Sequence, residues 1–542
     1  MTVTTIGARA AFLGATSVLA LIVTTPAQAR CVSAGTTATC DAAAPNPEIN
    51  GVIGTQVTVQ SGAIVRLDDP FAGASVRYET ATINNGGTLT TAAGSQILDA
   101  NTTTAVASGG GVTINHSGTI TARRANARGV ALGQGDTLTV NAGGVIETLG
   151  AGSSLVFQNS SAAVAIGGSG SSVTINGIVR SAGDFAPAIT TSTSGFFGPT
   201  LSPAAITIGA TGAVSTAGAN STAIAIGGGS TLSIAGTVTA GGTGSSAVTY
   251  QAGSGDVAIT VLSGGSVSAA SAAAITGSGA NVVLRVSGTV SSGNAAAIAL
   301  GSGADRITLD TGARITGLID GGTGIDSLTL NGSGAGTLGS TANIETLSVA
   351  SGRWTVSGTQ NYSGGTTIAA GATEIGTGSV LTGSFANAGT LQFDQSASST
   401  FGGSISGAGA VVKSGTGTLT MGAQSYTGGT VVTGGTLALT GALAGGSYGI
   451  GSGATLTSAL SSTLTSTAAT LTIVNDGTIR NTNASGRAIN IAGGANARTI
   501  ALTNNAGATI TSADDAFRIN FNPTGGSVRV DNYGTIQTTA GG

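Results

Sequence analysis

Charged side chains are scarce in this chain of 542 residues. Asp, Glu, Lys and Arg make up 7% of it, against about 25% in an average globular protein. The single lysine is Lys413 and the single histidine is His116. The net charge of −3 gives no surplus of either sign that would attract nucleic acid or steer a charged partner. We therefore expect no nucleic-acid ligand.

Aromatic residues and long apolar runs are also few. Phe, Trp and Tyr account for 3% of the chain, and no stretch has the roughly 20 apolar residues that a transmembrane helix needs. Low charge does not indicate disorder here, because disordered chains combine low hydropathy with high net charge and this chain has a mean hydropathy of +0.36. Collagen is excluded because the 93 glycines do not occupy every third position.

The N-terminus has the features of a secretory signal. Arg9 precedes an apolar stretch at residues 10–23, and the small residues at 26–29 fit cleavage after Ala29. Cys31 and Cys40, the two cysteines, follow at once. In an exported chain such a close pair indicates a disulfide that closes a loop at the mature N-terminus. The alternative is a lipid-modified Cys31. Lipoprotein signals have a small residue before the modified cysteine, and Arg30 at this position disfavours the alternative.

The sequence is dominated by a repeat. An alternating apolar strand, two linker residues, a glycine and a further apolar residue recur ten times, as in VTINHSGTI at 112–120 and VRVDNYGTI at 528–536. Steps of 23 to 35 residues separate the glycines of the first eight copies, and a period near 25 is typical of stacked coils. These marker glycines are Gly118, Gly144, Gly177, Gly212, Gly236, Gly265, Gly288 and Gly312.

Each coil carries a second marker about ten to fifteen residues before its glycine, such as AVAIGG at 163–168. One coil therefore contains three short strands: an Ala-Ile strand, a Thr-x-Val/Ile strand and a Gly-x-Val/Ile strand. Alternation directs Val, Ile and Leu inward while Thr, Ser and Asn face outward. The sequence predicts an all-β fold, a right-handed parallel β-helix of roughly twenty coils.

Residues 402–439, GGSISGAGAVVKSGTGTLTMGAQSYTGGTVVTGGTLAL, resemble the autotransporter-associated β-strand repeat. A weaker copy, NYSGGTTIAAGAT, places its tyrosine 64 residues earlier, at Tyr362. The single lysine of the protein falls on the lysine of the pattern. The positions of the pattern are filled by Gly407, Gly409, Lys413, Gly415, Gly417, Leu419, Tyr426, Gly428, Gly429 and Thr430.

This resemblance implies a passenger of type V secretion, exported through the periplasm and then displayed on the cell surface at the outer membrane or secreted. It divides the chain into a signal peptide at 1–29, a β-helix with its disulfide cap at 30–345, the repeat region at 346–440 and further coils at 441–542. It also implies an outer-membrane β-barrel translocator as partner. Because the chain shows no barrel-like strands of its own, we expect a truncated passenger whose anchor lies beyond Gly542.

One local pattern suggests calcium. LIDGGTGIDSLTLN, at 318–331, matches the calcium nonapeptide GGxGxDxUx. Asp305 and Asp326 lie 21 residues apart, as do Asp310 and Asn331, so each pair should stack on adjacent coils. Two carboxylates placed close together can bind a cation. Calcium rolls need several tandem copies, however, and the alternative is ordinary acidic corners compensated by Arg306. No other cofactor is expected.

Catalytic constellations are missing from the sequence. The acidic residues are scattered, and Asp514 and Asp515, if they lie on a strand, point to opposite faces. His116 is the one histidine available for a triad, and no G-x-S-x-G elbow precedes a helix. The chain is therefore predicted not to be an enzyme, with a β-helical polysaccharide lyase or hydrolase as the alternative.

Two smaller groups are candidate ligand sites. Arg123, Arg124 and Arg128 form a basic cluster near His116, either a patch for acidic glycans or a solvated loop between coils. The aromatic residues are expected to fill corners of the solenoid in preference to stacking on sugars; they are Tyr250, Trp354, Tyr362 and Phe393.

The sequence thus favours an adhesin-like surface rod that attaches cells to surfaces or to one another. The expected partner is a host surface, a bacterial surface or a glycan. A scaffold that assists secretion of an effector beyond Gly542 is a third reading.

Overall fold

The computed structural model describes the chain in segments, and mostly the backbone alone before residue 110. The signal peptide predicted at 1–29 lies outside the described residues. The segments are 30–34, 37–41, 56–60, 64–66, 81–83, 88–91, 96–99, 104–108, 110–152, 161–195, 198–253, 255–466, 468–492, 498–520 and 525–539.

These residues form β-strands, turns and no helix, so none of them belongs to a helix able to span a membrane. Two large sheets, I and II, hold most strands before residue 345. Sheet I comprises Arg30–Ala34, Thr37–Asp41, Gln56–Val59, Thr88–Thr91, Thr113–His116, Thr137–Val140, Ser171–Ile175, Ala204–Ile208, Thr231–Ile234, Val257–Val261, Val282–Val286, Arg306–Asp310, Ser327–Asn331, Thr346–Val349, Thr366–Ile368, Ser384–Asn387 and Ser404–Ser406.

Sheet II contains two ladders side by side, one of Gly-x-Val/Ile strands and one of Ala-Ile strands. Its members are Ile64–Arg66, Ala81–Ile83, Gln96–Asp99, Thr104–Ser108, Thr119–Ala122, Arg128–Leu132, Val145–Thr148, Ala162–Ile166, Ile178–Ser181, Ile189–Thr190, Ala213–Thr216, Ile224–Gly227, Thr237–Ala240, Val248–Gln251, Ser266–Ala269, Ile275–Ser278, Thr289–Ala299, Arg314–Asp320 and Thr341–Ala342.

Three further sheets stack the strands toward the C-terminus. Sheet III is Ala335–Leu338, Arg353–Val356, Thr373–Gly376, Thr390–Asp394, Ala410–Ser414, Thr430–Val432, Ser447–Ile450, Thr470–Asn475, Thr499–Asn504 and Ser527–Asn532. Sheet IV is Ser399–Phe401, Thr418–Met421, Thr436–Leu439, Thr455–Ser458, Thr478–Asn481, Thr509–Ser512 and Thr535–Thr538; sheet V is Ser462–Leu464, Arg487–Ala492 and Phe517–Asn520. Two small pairs complete the list: Ser192–Gly195 with Gly198–Leu201, and Ser302–Gly303 with Thr323–Gly324.

The strands pair almost entirely in parallel, each with the equivalent strand one coil away. Thr137–Val140 pairs with Ser171–Ile175, for example, and Val145–Thr148 pairs with Ile178–Ser181. Among the described strands, the antiparallel pairs are the Cys31/Cys40 hairpin and the one at 192–201. The predicted all-β parallel β-helix is confirmed, with one strand in sheet I and two in sheet II in each described coil between residues 56 and 278.

The core is a column that runs through the described coils from Val106 to Ala516. In sheet I, Leu138 stacks on Val173, Val173 on Ile206 and Ile206 on Leu232, each at most 2% exposed. Burying one such side chain stabilises the fold by about 1.5–3 kcal/mol relative to leaving it exposed. Because the strand period is 2, the Thr and Ser residues between them face outward, as predicted.

Most of the marker glycines lie where neighbouring coils approach closely. A Cβ added to Gly177 would lie 2.3 Å from the carbonyl oxygen of Gly144, and one added to Gly288 would lie 2.3 Å from that of Gly265. No side chain fits at these separations. At these positions glycine allows backbone to pack on backbone, whereas at Gly312, where an added Cβ would meet nothing within 4 Å, the positive φ of 103° favours glycine.

Candidate functional site

The coils become narrower at the predicted repeat region. In sheet I, Ile206 pairs with Leu232 after 26 residues, whereas Leu347 pairs with Thr366 after 19 and Thr366 with Phe385 after another 19. Sheet III shows the same short step from Val411 to Thr430. We call residues 346–450 the narrow-coil segment.

The interior of the narrow-coil segment is filled by aromatic rings. Phe393 and Phe401 meet edge to face at 5.1 Å between ring centroids, and the Trp354 indole donates a 2.9 Å hydrogen bond to the Ser351 carbonyl. Of the described residues before 346, Tyr250 is the one buried aromatic. The seven buried aromatics of the segment are Trp354, Tyr362, Phe385, Phe393, Phe401, Tyr426 and Tyr448. The prediction that Tyr250, Trp354, Tyr362 and Phe393 fill the interior is confirmed.

Lys413 is fully buried at a corner of this segment. Its ammonium donates hydrogen bonds to the carbonyls of Ser414 (2.5 Å), Gly415 (3.0 Å) and Gly434 (3.1 Å), the last from the next coil. Burial lowers the pKa of Lys413, and the charge of Asp394 partly offsets this. The side chain thus joins two coils through their backbone.

The glycines of the motif serve close packing and turning. Gly407 (φ 101°) and Gly415 (φ 72°) adopt left-handed backbone conformations. A Cβ on either would lie within 2.3 Å of a carbonyl oxygen, and Gly409, Gly417 and Gly428 are similarly crowded. Gly429 has more room, since its nearest neighbour would lie at 3.6 Å.

The remaining motif positions belong to the core. Leu419 and Thr430 are buried, and the Tyr426 hydroxyl lies 2.5 Å from that of Thr430. All motif residues apart from Gly429 are therefore explained by packing, turning or hydrogen bonding within the coil stack.

Residues 351–375 and 411–439 match the model of the passenger-associated-transport-repeat family. The chain carries passenger-associated transport repeats. Both copies lie within the narrow-coil segment, and the predicted resemblance to autotransporter passengers is confirmed there. The match also covers the weaker copy around Tyr362. No curated protein and no solved structure matches the chain.

The first transport repeat contains a buried acid that the sequence did not reveal. Glu374 points into the core between Trp354 and Leu391 of the adjacent coils and is 1% exposed. Its Oε2 has no hydrogen-bond partner. Burial raises the pKa of Glu374 to about 8. Its sequence context, TEIG, is that of an ordinary strand. Its burial could have been predicted only from its position in the alternation of inward and outward side chains along that strand.

The carboxylates singled out for calcium separate into two groups. Asp305 and Asp326 stack on adjacent coils, since the Asp305 amide donates to Asp326 Oδ1 at 2.8 Å. Asp310 lies apart from them and accepts hydrogen bonds from Arg285 at 2.8 and 3.0 Å. Arg306, the residue that the alternative interpretation offers as compensation, is exposed, and Arg285 is the arginine that pairs with Asp310.

The other predicted sites are also located. The backbone register places Cys31 opposite Cys40, while their side chains lie outside the described residues, so the disulfide stays a prediction.

Arg123 and Arg124 are exposed in a loop, whereas His116 is buried and donates to the Val145 carbonyl at 2.9 Å. The basic cluster and the histidine therefore do not form one patch.

Asp514 and Asp515 do not lie on a strand as assumed. They occupy a bend between Thr509–Ser512 and Phe517–Asn520, and both contact Arg487, at 2.5 and 3.1 Å. The expectation that their carboxylates face opposite ways was therefore wrong. Charge pairing with arginine accounts for the cluster.

The outer faces of the middle coils are free of charge. Residues 185–255 contain no Asp, Glu, Lys, Arg or His. On sheet I, the outward residues Thr174, Thr207, Ser233 and Thr260 follow one another in register, exposed or half-buried. Sheet II carries a similar column of Ser215, Thr239, Ser268 and Ser291. Hydroxyls thus repeat about every 4.8 Å along these faces.

Proposed function

We propose that this chain is the passenger of an autotransporter, which crosses the outer membrane through a β-barrel translocator and is displayed on the cell surface or secreted. The observation that carries the proposal is the pair of transport repeats inside a continuous stack of parallel coils. The domain limits at 345 and 440 belong to this proposal.

The order of the stack supports such a route. Each described coil pairs only with its neighbours, so a chain that emerges end first can add one coil at a time to those already formed. The narrow-coil segment, with its aromatic core and the Lys413 contacts, supplies a well-packed template on which further coils can form.

We further propose that the displayed rod is adhesin-like. Its uncharged hydroxyl columns offer many weak hydrogen bonds and no deep charged pocket, so attachment would rest on repeated contacts along the rod. The chemistry of these columns fits a neutral, polar partner surface. The family match names a transport repeat and no catalytic family, and no observation favours the enzyme alternative.

Deletion of residues 402–439 in the native gene tests the route. We expect loss of protease-resistant passenger at the cell surface, with transcript level unchanged. Deletion of a coil outside the repeats, residues 213–236, is the matched control and should leave display largely intact. Equal display of both deletions would contradict the proposed role of the repeats.

Adhesion is tested separately with a strain that lacks the whole passenger. A displayed adhesin is supported if this strain attaches less well to cells or to neutral polysaccharide, and if re-expression of the passenger restores attachment while addition of the purified rod does not. If the deletion strain attaches normally, although the wild type displays the passenger normally, adhesion is rejected and a secretion scaffold is favoured.

A further inference from the structure

Three acidic side chains occupy the same corner of three successive coils, just before the strands of sheet I. Asp305 Oδ1 accepts the Val282 amide at 2.7 Å, Asp326 Oδ1 accepts the Asp305 amide at 2.8 Å, and Glu345 Oε2 accepts the Asp326 amide at 2.6 Å. Each carboxylate thus binds the backbone of the preceding coil through one oxygen.

The second oxygens of the two aspartates have no such use. Asp305 Oδ2 and Asp326 Oδ2 are buried without a hydrogen-bond partner, and both residues are 0% exposed. No ion pair reaches either aspartate in the part of the chain that the structure describes. An unpaired buried carboxylate is costly, so these two oxygens require an explanation.

The surroundings add negative charge. Asp256 acts electrostatically on Asp305, while Glu345 and Asp320 act on Asp326. The Tyr250 hydroxyl, which accepts the Gly301 amide at 3.2 Å, is close enough to be influenced by both aspartates. Oxygen atoms and acidic charge therefore converge at this corner.

We propose that Asp305 and Asp326 bind one calcium ion between their coils through the two Oδ2 atoms. Carboxylate oxygens are hard ligands, and calcium accepts irregular sets of six to eight oxygens, whereas magnesium demands a near-ideal octahedron. No cluster of three or more His, Cys, Asp or Glu side chains suited to a metal occurs among the described residues. Backbone carbonyls, a hydroxyl or water must therefore supply the other ligands.

The expected affinity is modest for that reason. Two carboxylates and few fixed ligands correspond to a Kd of about 10⁻⁴–10⁻³ M, the range of extracellular calcium modules. The ion would lie next to the narrow-coil segment, because Glu345, at the same corner one coil later, accepts the Gly364 amide of the first transport repeat through its carbonyl at 2.7 Å. This proposal does not depend on the adhesive function.

Thermal unfolding of the purified chain with increasing CaCl₂ tests the site. We expect Tm to rise with a midpoint near the stated Kd for the wild type and for Asp310→Asn, whose carboxylate pairs with Arg285 outside the site. Asp305→Asn and Asp326→Asn should lose the rise. Magnesium at the same concentration should raise Tm of the wild type less.

Two results would overturn the proposal. One is an unchanged wild-type Tm in calcium, together with higher melting of the two Asn variants, which would mean that the acids are simply protonated. The other is an equal rise in all four proteins, which would mean non-specific binding. Should the Asn variants not fold, calorimetric titration of the wild type decides: one-site binding supports the site and the absence of heat and of any Tm shift rejects it.

Discussion

The indole ring of Trp354 lies directly over Gly336, its partner one coil earlier in sheet III. A Cβ on Gly336 would lie 2.5 Å from Cζ3 of the ring. The ring is fully buried and fixed by its hydrogen bond to Ser351, so it has little freedom to move away. The entry into the narrow-coil segment therefore depends on a residue without a side chain.

Gly336→Ala should destabilise the fold by about 1–3 kcal/mol, the usual effect of overpacking a filled core. Gly339→Ala is the matched control, because a Cβ there would meet nothing within 4 Å. Thermal unfolding of both variants measures the difference. Equal melting temperatures would show that Trp354 can shift at no cost.

Lys413→Met should also destabilise the chain, by about 1–3 kcal/mol, because three half-buried carbonyls lose a shared donor while the side chain keeps its length. Arg306→Met, at an outward-facing position, should change stability little. Limited proteolysis should also show earlier cleavage near 413 in the first variant. A stable Lys413→Met chain would mean that water replaces the ammonium.

Glu374 should make stability depend on pH. Its pKa is raised from 4.5 to about 8 in the folded state, so the folded chain holds a proton that the unfolded chain has released between those values. Stability should therefore fall as pH rises from about 4.5 to about 8 and then level off. Glu374→Gln should remove this dependence and gain relative to wild type with rising pH, while Glu374→Asp keeps an ionisable group and should retain it. Melting curves across this range test the effect, and parallel curves for wild type and Glu374→Gln would refute it.

His116 should act in the opposite direction. Burial lowers its pKa from 6.5 to about 4, against hydrogen bonds to the Val145 and Gly118 carbonyls that raise it. The unfolded chain then binds the proton first, so this contribution to stability is complete above pH 6.5 and is lost as pH falls toward 4. The difference in Tm between wild type and His116→Gln should be constant above pH 7 and shift against the wild type below 6.5. A constant difference down to pH 4 would contradict this.

The coil architecture was predictable because its causes are local and repeated. Alternation around Leu138 and Val173 set the inward face, and the spacing of Gly144 and Gly177 set the corner. Lys413 was recognised as a motif residue, but its three carbonyl partners come from a turn and from the next coil, which spacing alone does not reveal.

The charged residues were predicted less well. The sequence suggests Asp305 and Asp310 as ligands of one site, but Asp305 is buried just before the strand Arg306–Asp310, whereas Asp310 lies half-buried at its other end and pairs with Arg285. The burial of Glu374 does not follow from its local sequence, because its neighbours in the core, Trp354 and Leu391, come from other coils. Such partners depend on coil length, which changes from 26 to 19 residues along the chain and cannot be read from the average period.

The hairpin of Ser192–Gly195 and Gly198–Leu201 leaves the stack unchanged on both sides. Its base is closed by the Ser202 amide on the Thr191 carbonyl at 3.1 Å, while Ile189 and Ile206 keep their registers with the coils before and after. Extra residues can therefore be inserted at this position without changing the spacing or register of the neighbouring coils. A foreign epitope or enzyme grafted into the hairpin tip could be carried as cargo at a fixed height on the rod.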